Sequence, residues 1–272
     1  KVFEELTDTD EIVTSYLRLA DRGQTPARKS SPSRTRLVSI VVTYFELHRY
    51  VEETLESLLG QTHRELEIVL VNDGSFRPDD ALLFDLADRD ERIHLVTQPN
   101  AGLSAARNFG VSQARGDYVL FFDADDVAEP DLVERLLAAL KADPDLAYAT
   151  SWSAFVDEDG EPWPGGDGYE PLGNRSRLLA EQNVAGGCVA LFPREVFDRG
   201  FAFDPELASY EDWDLFRELA AAGRYGRVIP RELYRYRIRR RSMIRALGVP
   251  EMRRHANQMR ARERERRMQW TA

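Results

Sequence analysis

The stretch DYVLFFDAD, residues 117–125, carries an apolar and aromatic run into two aspartates that stand one residue apart. A short apolar run with polar residues at both ends is typical of a strand buried within a sheet. Asp123 and Asp125 are therefore predicted to lie where that strand ends. Their chemistry depends on which other strand ends lie beside them.

Apolar strand patterns alternate with helical patterns on both sides of this stretch. The predicted strands before it are LVSIVVTYF (37–45), LEIVLVNDGS (66–75) and RIHLVTQ (92–98). Helical patterns occupy residues 51–59, 78–90, 103–114 and 130–143. Such alternation indicates an α/β fold in which an open, mostly parallel sheet is flanked by helices. Ligands of such folds bind at the carboxyl ends of the strands.

The pattern changes after Ala147. Strand-like and Gly/Pro-rich segments follow, and then an acid-led helical pattern, EDWDLFRELAAAG (211–223). We expect this part to extend the same sheet and to cover the part before it. The predicted organisation has four parts: an N-terminal segment with a linker (1–36), a first half (37–146), a smaller second half (147–245) and a basic C-terminal helix (246–272).

Composition restricts the possible functions. The 272 residues include 43% hydrophobic and 31% charged residues, as in an ordinary soluble globular protein. The sequence has neither the roughly 18-residue apolar run of a membrane span nor a secretory signal, so we expect a cytoplasmic protein. The single cysteine, Cys188, excludes an intramolecular disulfide and a cysteine-rich zinc site. The first residue, Lys1, suggests a piece of a longer protein.

Charge is distributed unevenly along the chain. Residues 224–272 carry a net charge of +12, whereas residues 1–223 carry −22. An acidic body argues against nucleic acid as the main ligand. The basic C-terminal helix is either a solvated helix or a peripheral contact to the inner face of a membrane.

Polar residues cluster at three predicted strand ends: Asn72 and Asp73, Asn100 and Gly102, and Asp123 to Asp126. The carboxyl ends of parallel strands meet at one edge of a sheet, so these clusters are expected to line one crevice. In an Asp-x-Asp pair at a strand end, one carboxylate can bind a cation while its neighbour accepts from a hydroxyl or a metal-bound water. Such oxygen ligands suit Mg²⁺ or Mn²⁺, which keep waters and bind substrate phosphates. A nucleoside diphosphate would complete such a metal site.

Three other interpretations of this acidic cluster come from the residues alone. The acids could simply solubilise a strand end. An EF-hand calcium loop is disfavoured because the apolar residues Val127 and Ala128 follow the acids. A phosphohydrolase with Asp123 as nucleophile and Asp125 as acid and base would need a downstream lysine. The only one, Lys141, lies at the end of the next helix.

Three longer segments, taken in order, resemble the family 2 glycosyltransferases of GT-A fold, which are inverting enzymes. They are VSIVVTYFELHRYVEETLESLLGQTHRELEIVLVNDGS (38–75), NAGLSAARNFGVSQARGDYVLFFDADD (100–126) and YEDWDLFREL (210–219). The resemblance runs from about Leu37 to Met243. It implies that the first half binds a nucleotide-sugar, and that the second half binds the acceptor and supplies a catalytic base.

On the donor side, the resemblance implies six nucleotide-binding residues and one metal ligand. They are Thr43, Tyr44, Glu46, Asp73, Arg107 and Asp123 for the nucleotide, and Asp125 for the metal. Asp73 would hold the base, Asp123 the ribose, and Asp125 the Mn²⁺ or Mg²⁺ ion that carries the diphosphate. The closing segment LYRYRIRRRSMIR (233–245) lacks the His that is frequent in the family. Arg239, or else Arg237 or Arg241, could contact the diphosphate there instead, and a solvated basic strand is the alternative. Phe45 departs from the family, which often has Asn at this position.

On the acceptor side, the resemblance implies Asp212 as general base, with Glu211 beside it as an acceptor-side or helix-cap acid. Gly187 precedes an apolar strand and could let an acceptor approach the backbone closely. Helix capping is the alternative for Asp212, because SYEDWDLF (209–216) is also a good helix opening. The implied reaction is metal-dependent, inverting transfer from a nucleotide-diphosphate sugar, expected to be a UDP-sugar, to a hydroxyl of a glycan or lipid-linked acceptor. A non-catalytic nucleotide-sugar-binding module of a larger protein and the phosphohydrolase remain as alternatives.

Overall fold

The computed structural model describes residues 37–240, together with Ser242 and Asn257. The predicted N-terminal segment and linker lie outside the described residues, as do Arg241 and, apart from Asn257, the predicted basic C-terminal helix. Among the helices that the structure describes, none is long and apolar enough to cross a membrane.

The described residues form nine strands and six α-helices. The strands are β1 (Val38–Tyr44), β2 (Leu66–Asp73), β3 (Ile93–Gln98), β4 (Tyr118–Asp123), β5 (Val127–Ala128), β6 (Tyr148–Val156), β7 (Gly168–Tyr169), β8 (Ala190–Pro193) and β9 (Gly226–Arg237). The helices are α1 (Val51–Leu59), α2 (Leu82–Arg89), α3 (Leu103–Gln113), α4 (Leu132–Ala142), α5 (Glu195–Asp198) and α6 (Glu211–Ala221). Two 3₁₀ turns, Pro78–Ala81 and Arg177–Ala180, lie in the connections.

The strands β1 and β2 are buried at every position. Parallel strands that helices cover on both faces need such nearly continuous apolar sequences. Their register aligns the strand ends, because Thr43 on β1 lies between Val71 on β2 and Asp123 on β4. The acids that end β2 and β4, Asp73 and Asp123, are therefore brought to one edge of the sheet.

All strands belong to one sheet, in the order β3-β2-β1-β4-β8-β6-β9-β5, with β7 paired to β6. Neighbours among the first four of these are parallel. Strand β8 joins the two halves because it pairs antiparallel with both β4 and β6, and β6 in turn pairs parallel with β9. The predicted α/β fold with an open sheet flanked by helices is confirmed. The whole sheet is mixed, since parallel pairing dominates only in the first half.

Helices cover both faces of this sheet. Helices α1, α2 and α4 pack on the face that carries Ile40 and Leu70, and α3 and α6 pack on the face that carries Val41 and Val71. Helix α3 lies close to β1, since a Cβ atom added at Gly110 would come within 2.3 Å of Val41 Cγ1. This packing fixes the neighbouring turn of α3 against the strand ends.

Candidate active site

A cleft of about 890 Å³ opens at the carboxyl ends of β1, β2 and β4 and is bordered by both halves. All eleven residues predicted for the site line this cleft: Thr43, Tyr44, Glu46, Asp73, Arg107, Asp123, Asp125, Gly187, Glu211, Asp212 and Arg239. The structure thus brings together residues that are far apart in the sequence. Their individual roles stay predictions.

Asp73, at the end of β2, is held by donors from the connection between β3 and α3. Its Oδ1 accepts hydrogen bonds from Gln98 Nε2 at 2.7 Å and Ala101 N at 2.9 Å, and its Oδ2 accepts one from Gly102 N at 2.9 Å. The residue is buried. This carboxylate therefore fixes the loop that forms the wall of the cleft where the nucleobase is predicted to bind.

A second buried acid, Asp80, holds the end of β1 against the loop after β2. The Tyr44 hydroxyl donates to Asp80 Oδ1, and the Ser75 hydroxyl and the Arg77 N–H each donate to Asp80 Oδ2 at 2.6 Å. Tyr44 thus lines the cleft while its hydroxyl donates a hydrogen bond to Asp80. The sequence pattern did not predict Asp80. Its position in the turn PDDA (78–81) could have indicated this role, because aspartates in turns commonly accept local backbone hydrogen bonds.

Phe45 and Glu46 form a rim of the cleft above this loop. Phe45 is 43% exposed. Glu46 has a left-handed backbone with φ of 54°, which costs a non-glycine residue on the order of 1 kcal/mol. Glu46 N donates to Ser75 Oγ at 3.3 Å, and Glu46 Oε2 pairs with Arg77 Nη2 at 2.8 Å. The rim therefore presents an exposed aromatic ring next to an ion pair.

Arg107, on α3, connects acids from the two halves. Its Nη2 lies 2.9 Å from Asp123 Oδ1 and its Nη1 lies 2.6 Å from Glu211 Oε1. The guanidinium is buried and packs on the Phe203 ring at 5.2 Å. Burial alone would lower the pKa of Arg107, but the charges of Asp123 and Glu211 outweigh this and hold the pKa well above its usual value. Arg107 therefore orients both carboxylates as a permanent cation.

The strand end that carries Asp123 and Asp125 has its own partners. Asp123 Oδ2 accepts a hydrogen bond from Cys188 Sγ at 3.1 Å, while Asp125 Oδ2 forms an ion pair with Arg239 Nε. Burial raises the pKa of Asp125, the Arg239 charge opposes the rise and the Asp123 charge adds to it. Cys188 therefore helps to fix the carboxylate that is predicted to contact the ribose, a role that the sequence did not indicate.

Arg237, an alternative contact to the diphosphate, is tied into the protein. Its Nε donates to Asp125 O at 2.8 Å, its Nη2 pairs with Glu53 Oε2 at 2.6 Å, and its N–H donates to Asp126 Oδ1 at 2.9 Å. Asp126 is buried, and burial together with the charge of Asp125 raises its pKa well above the usual range. These contacts fix the turn on which Asp125 lies.

Asp212 lies in the first turn of α6. Its Oδ1 accepts from Trp213 N at 2.6 Å and its Oδ2 accepts from Asn183 Nδ2 at 3.2 Å. The N-cap residue is Tyr210, whose backbone is left-handed and whose side chain makes no capping hydrogen bond, so Asp212 does not occupy the capping position. Burial and the charge of Glu211 raise the pKa of Asp212 to about 7, against the opposing charge of Arg107.

Aromatic side chains from three neighbouring strands line the second half's part of the cleft. They are Tyr169 on β7, Phe155 on β6 and Tyr236 on β9. Phe155 lies opposite Tyr236 in the strand register, with the ring centroids 5.9 Å apart. A Cβ atom added at Gly187 would lie 3.2 Å from Tyr234 Oη, so a side chain at this position would narrow the cleft.

The acids of the cleft offer oxygen ligands to a cation without forming a complete cage. Among the residues that the structure describes, no group of three or more His, Cys, Asp or Glu side chains is placed to hold a metal ion. Asp125 is 8% exposed and lines the cleft. An oxygen donor of this kind fits Mg²⁺ or Mn²⁺ if phosphate and water complete the shell. Arg239 would have to release Asp125 Oδ2 for a cation to bind there.

Comparison with known proteins identifies relatives of the chain. The family model described as glycosyl transferase family 2 matches residues 39–201. Chondroitin synthase and hyaluronan synthase of Pasteurella multocida are each 28% identical to this chain, over 80% and 74% of its length. The uncharacterised glycosyltransferase EpsJ of Bacillus subtilis is 44% identical over 37% of the chain. The chain spans only 22%, 20% and 29% of these three relatives, respectively.

Solved structures show the same fold. The S. aureus TarS structure in complex with UDP-GlcNAc matches 78% of this chain, and 61% of its own, with a TM-score of 0.60 and 21% sequence identity. This likeness agrees with the GT-A fold that the sequence resemblance implies. Because the family model covers more than half of the chain and includes the strand end with Asp123 and Asp125, the protein belongs to glycosyl transferase family 2.

Proposed function

We propose that this protein is an inverting glycosyltransferase that moves a sugar from a UDP-linked donor to a hydroxyl of a glycan. The observation that carries the proposal is Asp212, a partly buried carboxylate in the same cleft as the strand-end acids of the first half. Its pKa is raised to about 7. A carboxylate with such a pKa is matched to taking up a proton near neutral pH.

Inverting transfer uses the two faces of the donor sugar. A base removes the proton of the acceptor hydroxyl on one face while the diphosphate leaves from the other. Asp212 is the base in this proposal, and its oxygens are oriented by the Trp213 N–H and the Asn183 amide. Proton uptake neutralises Asp212 and so removes its repulsion from Glu211, which favours the transfer.

The first half is proposed to bind the nucleoside diphosphate. Asp73 Oδ2 accepts one hydrogen bond from within the protein, and a carboxylate oxygen can accept a second, for example from a nucleobase N–H. Phe45 at the rim offers a flat apolar face to the same base. The UDP-GlcNAc complex of TarS, a structure of the same fold, supports a UDP-linked donor.

The proposed reaction depends on Mn²⁺ or Mg²⁺, and Asp125 is the residue that would hold the ion. When bound, such an ion neutralises the charge that develops on the departing diphosphate. Arg237 fixes the Asp125 backbone by a hydrogen bond to its carbonyl oxygen, and the Asp125 side chain lies on the cleft wall. Both contacts favour binding of the ion at Asp125. Arg239, once released from Asp125, is available to pair with the diphosphate, and guanidinium groups bind phosphate well.

A glycan acceptor is favoured by the aromatic lining of the second half. Apolar faces of sugar rings pack on aromatic rings, and Phe155, Tyr169 and Tyr236 offer such surfaces in the cleft that holds Asp212. Two relatives are named as synthases of glycans, chondroitin and hyaluronan. The alternative is a lipid-linked acceptor, used by a cytoplasmic protein that contacts the inner face of a membrane through residues 246–272.

A thermal-shift panel of UDP-, GDP- and dTDP-sugars, with and without Mn²⁺, tests donor class and metal dependence together. A ligand at 100 times its Kd stabilises the folded state by about 2.7 kcal/mol, so the UDP-sugar with Mn²⁺ should raise the Tm by several degrees. A panel in which no UDP-sugar stabilises the protein would contradict the proposal.

Turnover assays separate the alternatives from other classes. UDP binding without turnover by any glycan or water would favour a non-catalytic nucleotide-sugar-binding module. Phosphate release from simple phosphoesters would favour the phosphohydrolase. The contacts of Asp123 weigh against that enzyme, because both oxygens of its predicted nucleophile already accept from Arg107 and Cys188.

A further inference from the structure

Asn183 lies in the connection between the 3₁₀ turn Arg177–Ala180 and β8, and its side chain reaches Asp212. Its Nδ2 donates to Asp212 Oδ2 at 3.2 Å and to Gly186 O at 3.0 Å, while its Oδ1 accepts from Ala185 N at 3.2 Å. We propose that Asn183 is a positioning residue that orients Asp212 and stabilises its charged form. The catalytic consequence of this inference depends on the proposed function, whereas the interaction itself does not.

The direction of the amide is determined by its backbone partners. The Ala185 N–H can only donate, so the side-chain atom that faces it is the oxygen of Asn183. The Gly186 carbonyl can only accept, so the atom that faces it is the nitrogen. The same nitrogen faces Asp212, and Asn183 can therefore only donate to this carboxylate. A donor of this kind favours the charged form of a carboxylate over the protonated form.

The main chain of Asn183 is anchored as well. Its carbonyl oxygen accepts a hydrogen bond from the Tyr169 hydroxyl at 3.0 Å, and Tyr169 belongs to the aromatic lining of the cleft. Asn183 therefore contacts the proposed base through its side chain and the proposed acceptor wall through its backbone. These contacts restrict the conformations that the loop can adopt.

Charged groups face Asp212 from several elements. Glu211 on the same helix and Asp123 on β4 raise its pKa, and Arg107 on α3 lowers it. Tyr169 on β7 is neutral, because burial, with a smaller effect of Asp212, raises the pKa of its phenol above the usual value. In this acidic surrounding the Asn183 amide donates a hydrogen bond without bringing a charge. Loss of this donor should therefore raise the pKa of Asp212 further.

The test is a carboxyl ¹³C NMR titration of the full chain with labelled aspartate, in which Asp212→Asn identifies the Asp212 resonance. Asn183→Leu removes the amide. In Asn183→Ser, the shorter side chain cannot contact Asp212, but its hydroxyl can still accept from the Ala185 N–H. This second variant keeps the test possible if the leucine variant does not fold. Asn174→Leu is the matched control, because Asn174 is a buried asparagine whose side chain bonds the backbone groups of Phe216, Arg224 and Gly226, within and beyond α6.

Both Asn183 variants should raise the Asp212 pKa by about one unit, which is a tenfold change in proton affinity, and Asn174→Leu should leave it in place. A folded Asn183 variant with an unchanged Asp212 pKa would overturn the inference, as would an equal shift in Asn174→Leu. In an active enzyme, the acid limb of kcat should move by the same amount while UDP affinity stays constant. Absence of transfer in the wild type would count against the proposed function and leave the titration result intact.

Discussion

In the first half of the cleft, Asp73 accepts three hydrogen bonds, two of them from backbone N–H groups. In the second half, Asp212 lies next to Glu211, and burial and that neighbouring charge raise its pKa to about 7. The first carboxylate is held in place by three donors, whereas the charge of the second is disfavoured by its surroundings. In the proposed reaction, the first wall would bind the nucleotide and the second would accept the proton.

Arg107 is the residue that ties these two walls together, and its loss should have the largest effect. Arg107→Met leaves Asp123 and Glu211 without their shared cation and should lower the free energy of unfolding by about 3–5 kcal/mol, as measured by urea denaturation. Arg199→Met is the control, because Arg199 pairs with Glu195 on the surface and such pairs contribute about 0–1 kcal/mol. Equal losses in the two variants would contradict the bridging role.

The cleft wall formed by the first half, here called the binding wall, can be tested through its predicted metal ligand, Asp125. Asp125→Asn should abolish the stimulation of UDP binding by Mn²⁺, with a loss of roughly 10–100-fold in affinity, measured by calorimetry. Asp131→Asn is the control, since it removes a carboxylate that pairs with Arg135 and does not line the cleft. Retention of Mn²⁺ stimulation in Asp125→Asn would show that the cation is held elsewhere.

The contrast between the walls predicts stability effects of opposite sign. Asp73→Asn should lower the free energy of unfolding by about 1–3 kcal/mol, because its amide nitrogen meets donor groups where an oxygen had accepted. Asp212→Asn should raise the free energy of unfolding by about 2 kcal/mol at pH 8. Removal of the disfavoured charge contributes about 4 kcal/mol, and the new amide nitrogen, which faces the Trp213 N–H or the Asn183 amide, offsets about half of it. Urea denaturation of both variants measures this difference.

The pH dependence provides the control for that pair. The pKa of Asp212 is higher in the folded than in the unfolded chain, so the folded state binds more protons between about pH 4 and pH 7. Stability contributed at this position is therefore present at low pH and lost as the pH rises through about 7. The gain in Asp212→Asn should vanish near pH 4. A gain of equal size at both pH values would point to a cause other than this charge.

The rim should contribute least. Glu46→Gln removes the ion pair with Arg77, in which both side chains are well exposed, and should change the free energy of unfolding by less than about 1 kcal/mol. Urea denaturation at low and high salt provides the measurement. A larger or salt-independent loss would mean that the rim takes part in holding the binding wall.

Much of the first half follows from local sequence patterns. The apolar runs of β1, β2 and β4 mark buried strands, and parallel strands place their final residues at one edge, so the sequence alone assigns Asp73 and Asp123 to one crevice. Resemblance to the family then added the second half's Asp212 and Glu211. Both residues are acids, and the proposed transfer requires a carboxylate that takes up the proton of the acceptor hydroxyl.

The supporting contacts could not be predicted in this way. Arg107 and Glu211 are 104 residues apart, and the contact of Asn183 with Asp212 depends on a loop with no periodic pattern. Cys188 and Asp80 likewise acquire their roles from partners that only the folded chain brings near. Side chains that orient other side chains have no fixed spacing, because many loop conformations place them equally well.

One comparison tests most directly whether the first half binds the nucleotide and Asp212 accepts the proton. It measures UDP affinity and the rate of sugar transfer from a UDP-sugar at pH 8, for the wild type and for Asp212→Asn. If Asp212 is the general base, Asp212→Asn should bind UDP within a factor of about two of the wild type and lose transfer by about 10³-fold. Wild-type transfer should itself fall as the pH drops below about 7, the pKa to which burial and Glu211 raise Asp212. Full transfer by Asp212→Asn, or a parallel loss of UDP binding, would contradict this assignment.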